Sequence, residues 1–273
     1  MNGEMAQFVA LACHANAALA GRQMTLSGNS AFQFCKSISF VALETTAAGH
    51  TKEVAIAPTP DDWLLRLRQM EARGARLAHA PGPDPTLPDR MAVAFVGGGG
   101  SWSLEVLRRD GTTETWLARW EVTDRNAPDR NIWSVTYGLM SVLATAATPR
   151  PDLAAVTETL RTALINIHAF SRQHRCDPFT GMFQKALDSL SDPRQSPGYH
   201  RDLYVEGTLP DQAVTLLQAA QHAWVFGGMG SWNDMGFGGE TQAEYDRVSD
   251  GLFGALQDVI LAAANSSLPS DRW

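Results

Sequence analysis

Apolar positions change rhythm near residue 150: before it they mostly alternate, and after it they recur at helical spacing. Met5, Phe8, Ala12 and Leu19 share one face of a first predicted helix in the mostly apolar stretch Ala6 to Ala20. A turn at Ser27-Gly28-Asn29 follows. Phe32, Phe34, Ile38 and Phe40 then alternate with Ser37 and Ser39, predicting a strand over 31–43. Lys36 falls on its apolar side. A bulge or a side chain snorkelling past the sheet edge explains that position, and so does a desolvated amine suited to base or Schiff-base chemistry.

Val54 to Ala57 predicts a second, short strand. Thr59-Pro60-Asp61-Asp62 reads as a helix start, with a Thr cap, Pro at the first helical position and acids facing the dipole. Trp63, Leu67 and Met70 form its buried stripe, with Gly74 as the expected stop. Four prolines between Pro81 and Pro88 mark a loop. A strand from Met91 to Val96 is expected to enter Gly97-Gly98-Gly99-Gly100. Trp102 to Arg108 and Thr112 to Val122 then form a hairpin. A three-residue Arg109-Asp110-Gly111 loop pairs Leu104 with Trp116 and Trp102 with Ala118. This register collects Trp102, Leu104, Val106, Trp116, Ala118 and Trp120 on one face. Ile132 to Leu139 predicts a further strand, whose continuation to Ala147 reads as strand or helix.

Four helices are expected beyond Thr148–Pro151: 151–174, 178–190 behind an Asp177 cap, 209–226 behind a Thr208…Asp211 box, and 241–264. Strands first and helices later predict an α+β fold: an antiparallel sheet with a Trp-rich hairpin, packed against a C-terminal group of helices. The β-rich part, 1–148, and the helical part, 149–273, are expected to share one core because the hairpin's Trp-rich face needs a cover.

Composition narrows the function classes. The 273 residues are 44% apolar and 19% charged, which suits a soluble, core-forming chain. The net charge of −7 belongs entirely to residues 151–273, with 15 acids and 8 bases; residues 1–150 hold 14 of each. Neither half has the basic footprint of a nucleic-acid partner. Cys13, Cys35 and Cys176 are odd in number and scattered, as in a reducing cytoplasm. No CxxC or HxxxH pair occurs, His174-Arg175-Cys176 is the nearest approach to a ligand pair, and neither metal nor cofactor is expected. Ala15-Asn16-Ala17 looks like a signal-peptidase site, but Glu4 and the lack of Lys or Arg before it argue against a secretory signal. No run of ~18 uncharged apolar residues predicts a membrane span.

No P-loop, GxGxxG turn, GxSxG elbow, HExxH or EF-hand loop is present. One hexapeptide pattern, Gly-Gly-x-Gly-Ser-Trp, occurs twice, at 97–102 and 227–232. The second copy, with Trp224, Gly227, Gly228, Gly230, Ser231, Trp232, Asn233 and Asp234, is the candidate ligand-binding loop: Gly admits close approach, loop amides hold anions or carbonyls, and Trp makes a flat wall. The alternative is a tightly packed corner. His222 lies near this loop, and Tyr199-His200-Arg201-Asp202 forms a second polar cluster. The eight tryptophans build either a core around the hairpin or an aromatic platform for a sugar, a nucleobase or a partner's side chain.

Two function classes result. The first is a cytoplasmic, non-enzymatic binding or interaction protein (adaptor, immunity or regulatory). A protein partner would dock on the acidic run Asp234 to Asp258, where six acids face Arg247 alone, or a small molecule would sit at 224–234. The second is a hydrolase or transferase with its pocket at 224–234. A deep pocket there favours the enzyme, and a flat surface favours the interaction protein.

Overall fold

The structure is a computed structural model that describes residues 1–45, 51–84, 86–95, 98–192 and 197–269. Among the described residues are helix α1 (Gly3–Leu19), strands β1 (Cys35–Thr45) and β2 (Thr51–Ala57), and helix α2 (Pro60–Gln69). Next come β3 (Gly74–Ala80), α3 (Asp89–Ala92), β4 (Ser101–Leu107), β5 (Thr112–Val122) and β6 (Trp133–Ala144). Helices α4 (Leu153–Gln173), α5 (Phe179–Ser191), α6 (Asp211–Ala223) and α7 (Gly239–Asn265) follow.

The strands form one sheet in the order β2-β1-β6-β5-β4-β3. The expected antiparallel sheet is corrected to a mixed one, because β1 and β6 run parallel while the other neighbours are antiparallel. A strand without alternation causes the difference. β3, Gly-Ala-Arg-Leu-Ala-His-Ala, is buried from Gly74 to Leu77, so both faces are covered and no period of two is visible. Pairing polarity makes β2 and β3 run the same way at opposite edges, with α2 carrying the chain between them. The chain then returns strand by strand until β6 meets β1 in parallel.

Gly74, the expected stop of α2, is instead the first residue of β3. Glu71 takes the left-handed position at φ 51°, and the amides of Glu71 and Ala72 return to the Arg68 and Leu67 carbonyls. The start of α2 is as expected: Thr59 Oγ1 accepts from Asp62 N, and Pro60 opens the helix. The expected strand Met91 to Val96 is overturned by α3 and the turn after it, while Val96 lies outside the described residues. Hydrogen bonds Ala92 N to Pro88 O and Val93 N to Asp89 O wind the apolar run into a helical turn.

α1 is not the one-faced helix that its pattern suggests. Every residue from Met5 to Ala18 is buried, as in a helix hydrophobic all round and wrapped by neighbours. Its polar residues are consumed by the surroundings. Gln7 accepts from Tyr137 Oη at 2.9 Å, and Asn16 exchanges two 2.8 Å bonds with the backbone of Ala75. Asn265 of α7 does the same for Leu77, at 2.6 and 2.9 Å. Two side-chain amides thus stand where a seventh strand would pair, and the free edge of β3 is satisfied.

The hairpin keeps the expected register, with Leu104 opposite Trp116, Gly111 at φ 80° and Arg108 N bonded to Thr112 O at 2.8 Å. Its apolar face meets Phe40, whose ring lies 5.8 Å from Trp116 and 5.0 Å from both Trp63 and Tyr137. Glu114, buried on the same face, is matched by Arg66 at 2.7 and 3.0 Å and accepts from Trp116 Nε1. The strand expected over 31–43 starts only at Cys35, because Ser30–Phe32 is a 3₁₀ turn and Phe34 sits at φ 66°. Lys36 is the unpaired residue of a register shift between β1 and β6 and is exposed, as the bulge reading requires. β6 stays a strand to Ala144.

In the second half α4 packs on α7, and α7 reaches α1 and β3, so one cluster of buried side chains runs from Phe40 and Trp116 to Leu252 and Trp232. Two expected caps are absent: α5 follows Pro178 with no side-chain cap from Asp177, and Thr208 Oγ1 donates to Val205 O instead of capping α6.

Candidate functional site

The loop leaving α6 is held by its own side chains and by α3. Trp232 opens a 3₁₀ turn, Trp232–Asp234, which Ser231 caps; Ser231 Oγ also donates to Gly227 O at 2.9 Å. The Trp232 ring is fully buried, 5.3 Å from Phe179 and Phe183 of α5 and 5.4 Å from Tyr245 of α7. Its Nε1 donates to Ser249 Oγ at 2.7 Å, and its carbonyl accepts from Tyr245 Oη at 2.6 Å. A ring so enclosed anchors the loop and offers no wall to a ligand. Trp224 packs on Phe226 and Phe253. Asn233 Nδ2 donates to the Arg90 carbonyl of α3 at 2.6 Å, and Asp234 accepts from Gly230 N. Among the eight candidate residues of this loop, only Gly228, Gly230 and Asp234 are exposed.

A cleft of about 440 Å³ lies beside the loop, lined by Arg90, Asn233, Tyr245, Asp246 and Asp250. The buried Arg90 guanidinium holds Asp246 at 2.5 Å and Asp250 at 2.6 Å, over the Tyr245 ring. Two acids of the run Asp234 to Asp258 are therefore already spent on an internal cation. Asn233 Oδ1 is buried here without a partner among the described residues.

The polar cluster at 199–202 meets a segment far away in sequence. Ser30 Oγ lies 2.8 Å from His200 Nδ1 and donates to Asp202 Oδ1; Ser30 N donates to Asp202 Oδ2 at 2.8 Å. Asn29 Nδ2 donates to the Asp202 carbonyl at 2.5 Å. Burial opposes the Asp202 charge, but the Ser30 hydroxyl and amide together hold that carboxyl below its usual range. Burial pushes the His200 imidazole down. A nucleophilic triad needs the histidine between serine and carboxylate. Here the carboxylate grips the serine directly, so the cluster pins the 3₁₀ turn at Ser30 to the loop before α6. Among the described residues no group of three His, Cys, Asp or Glu side chains is gathered for a metal ion.

The third place combines elements that the sequence keeps apart. Trp120 near the end of β5 and Trp133 at the start of β6 are diagonal neighbours on the core face of the sheet, because Val122 pairs with Trp133 and Trp120 with Val135. Their rings meet edge to face, with centroids 5.8 Å apart. The first turn of α1 and the turn after α3 close over them, leaving a cavity of about 270 Å³ lined by Glu4, Val93, Phe95, Gly98, Trp120 and Trp133. Gly98 is required there: a Cβ would stand 2.0 Å from the Ala92 carbonyl oxygen. Burial lifts the Glu4 carboxyl from 4.5 to about 7. Trp120 Nε1 is sealed from solvent and has no acceptor among the described residues.

No family model, curated protein or solved structure matches the chain. The site must therefore be read from its own geometry. Sequence reasoning placed Trp120 on the hairpin's apolar face but passed over Glu4, Phe95 and Trp133. One signal was legible. Trp120 lies at the far end of that face, with Arg119 and Glu121 on either side of it.

Proposed function

We propose that the chain is a non-enzymatic binding protein whose ligand seat is the cavity between the first turn of α1 and the Trp120–Trp133 pair. The observation that carries this reading is the pair of tryptophan rings left facing a cavity of about 270 Å³, when Trp63, Trp116 and Trp232 are fully buried. That volume lies just under the ~300–1,000 Å³ usual for drug-sized ligands, which points to a small one. The three unpaired thiols suit a reducing cytoplasm, and no helix among the described residues is long and apolar enough to cross a membrane. The acid–base balance speaks against a nucleic-acid partner. A protein partner on the acidic face would meet Asp234, Glu240, Glu244 and Asp258, the exposed carboxylates of this run that Arg90 leaves untouched.

A hydrolase or transferase with its pocket at 224–234 is the second reading, favoured by the unpartnered Asn233 Oδ1 in the neighbouring cleft. A thermal-shift screen of small molecules on three proteins separates the two. Stabilisation of the wild type that disappears in Trp133→Ala and survives in Asp234→Ala is expected. Stabilisation lost in Asp234→Ala and kept in Trp133→Ala would move the seat to the loop.

A further inference from the structure

We propose that the cavity at the start of α1 binds an organic cation, with Glu4 as counter-ion and Trp120, Trp133 and Phe95 as an aromatic cage. The inference rests on the preceding reading of this cavity as the ligand seat and gives that ligand its chemistry.

A carboxylate withdrawn from water costs free energy unless a cation or several donors meet it. Glu114 satisfies that rule through Arg66 and the Trp116 indole. Glu4 does not: among the described residues no Lys, Arg or His forms an ion pair with it, and burial alone accounts for its raised pKa. Tyr137, whose hydroxyl feels the Glu4 charge, is itself pushed up chiefly by burial and supplies no positive charge. The seat thus holds a carboxyl group for which the described residues provide no counter-ion.

Indole faces carry negative quadrupole density, and a cation within ~6 Å of a ring centroid is attracted to it. Trp120 and Trp133 meet at 80°, which presents one ring face beside the edge of the other. Phe95, largely exposed, stands at the rim of the cavity. A neutral apolar guest would fill such a space equally well but would leave Glu4 unmatched, and an anion would be repelled by it. A substituted ammonium, apolar outside and charged within, satisfies both the rings and the carboxylate.

The test compares choline with its neutral carbon isostere, 3,3-dimethylbutan-1-ol, by tryptophan fluorescence and calorimetry on the full chain above the Glu4 titration. Choline is expected to bind about tenfold more tightly or better. Glu4→Gln should weaken choline several-fold, leaving only the share that the rings supply, and leave the isostere unchanged. That variant removes a desolvated charge, so it is expected to stay folded, which circular dichroism checks. Equal affinity of the wild type for both probes, lost in Trp133→Ala, would overturn the cation inference and leave the cavity as the seat. Failure of both probes at millimolar concentration would overturn the inference together with the seat.

Discussion

The two Gly-Gly-x-Gly-Ser-Trp segments share their letters and little else. In the segment ending at Trp102 the backbone is pressed against its neighbours. A Cβ on Gly98 would stand 2.0 Å from Ala92 O, and one on Gly100, at φ 89°, would stand 2.2 Å from His79 Nε2 and 2.8 Å from Ala80 O. In the segment ending at Trp232, a Cβ on Gly228 meets nothing within 4 Å, and Gly230 needs only its φ of 85°. The tryptophans invert this contrast. Trp102 is buried with an indole N–H that has no partner among the described residues, whereas Trp232 donates to Ser249 from the middle of an aromatic cluster. In one segment the glycines are the constraint, and in the other the indole is. A glycine-rich stretch therefore says nothing about a binding loop until its neighbours are known.

The largest test of this contrast is a pair of alanines. Gly98→Ala forces a backbone carbonyl to move, so an expected loss of about 3 kcal/mol or more in urea unfolding should accompany it. Gly228→Ala should stay within about 0.5 kcal/mol of the wild type. Similar losses at both positions would remove the distinction.

Next in size is a pH effect tied to the cavity that Gly98 helps to close. Glu4 titrates near 7 in the folded chain and at 4.5 when released, because burial disfavours its charge. Between these values the unfolded chain gives up the proton first and binds fewer protons, so stability falls as pH rises. The stabilising contribution is complete below pH 4.5 and lost through about pH 7. It amounts to at most about 3 kcal/mol. Chemical unfolding across this range should show the decline in the wild type and a flatter profile in Glu4→Gln. A cation bound to Glu4 would reverse the trend.

The indoles are separated by a milder substitution. Trp232→Phe shrinks a fully buried ring and strands Ser249, so about 2 kcal/mol or more should be lost. Trp102→Phe shrinks its ring too but removes a buried donor that has no acceptor among the described residues, so its cost should be smaller than that of Trp232→Phe. The smallest effect belongs to Asp234→Ala, which frees the Gly230 amide at an exposed site and should cost about 0.5 kcal/mol or less.

Local signals made much of the fold legible. Thr59-Pro60 starts α2 because a cap and a fixed φ act within one turn, and Arg109-Asp110-Gly111 sets the hairpin register because a bulge needs Gly at positive φ. Periodicity also predicted α4, α5, α6 and α7 within a few residues at each end. The misreadings fall where tertiary surroundings overrule local pattern. β3 and α1 are covered on every side, so neither shows the contrast between faces on which periodicity depends. Asn16 stood out as part of a signal-peptidase-like Ala15-Asn16-Ala17, yet its side chain pairs with the Ala75 backbone at the edge of β3. The candidate loop drew attention through composition, while Glu4, Phe95 and Trp133 stood apart in the chain with nothing local to link them.

By itself the sequence determined the α+β class, the strand-then-helix order, the hairpin register and the acidic balance of the second half, because each depends on neighbours in the chain or on composition. Only the tertiary structure decided that β1 and β6 run parallel, that Trp232 is core and that Glu4 shares a cavity with two tryptophans. Those outcomes depend on which distant surfaces meet, and burial and pairing across the sheet set that rather than any local preference.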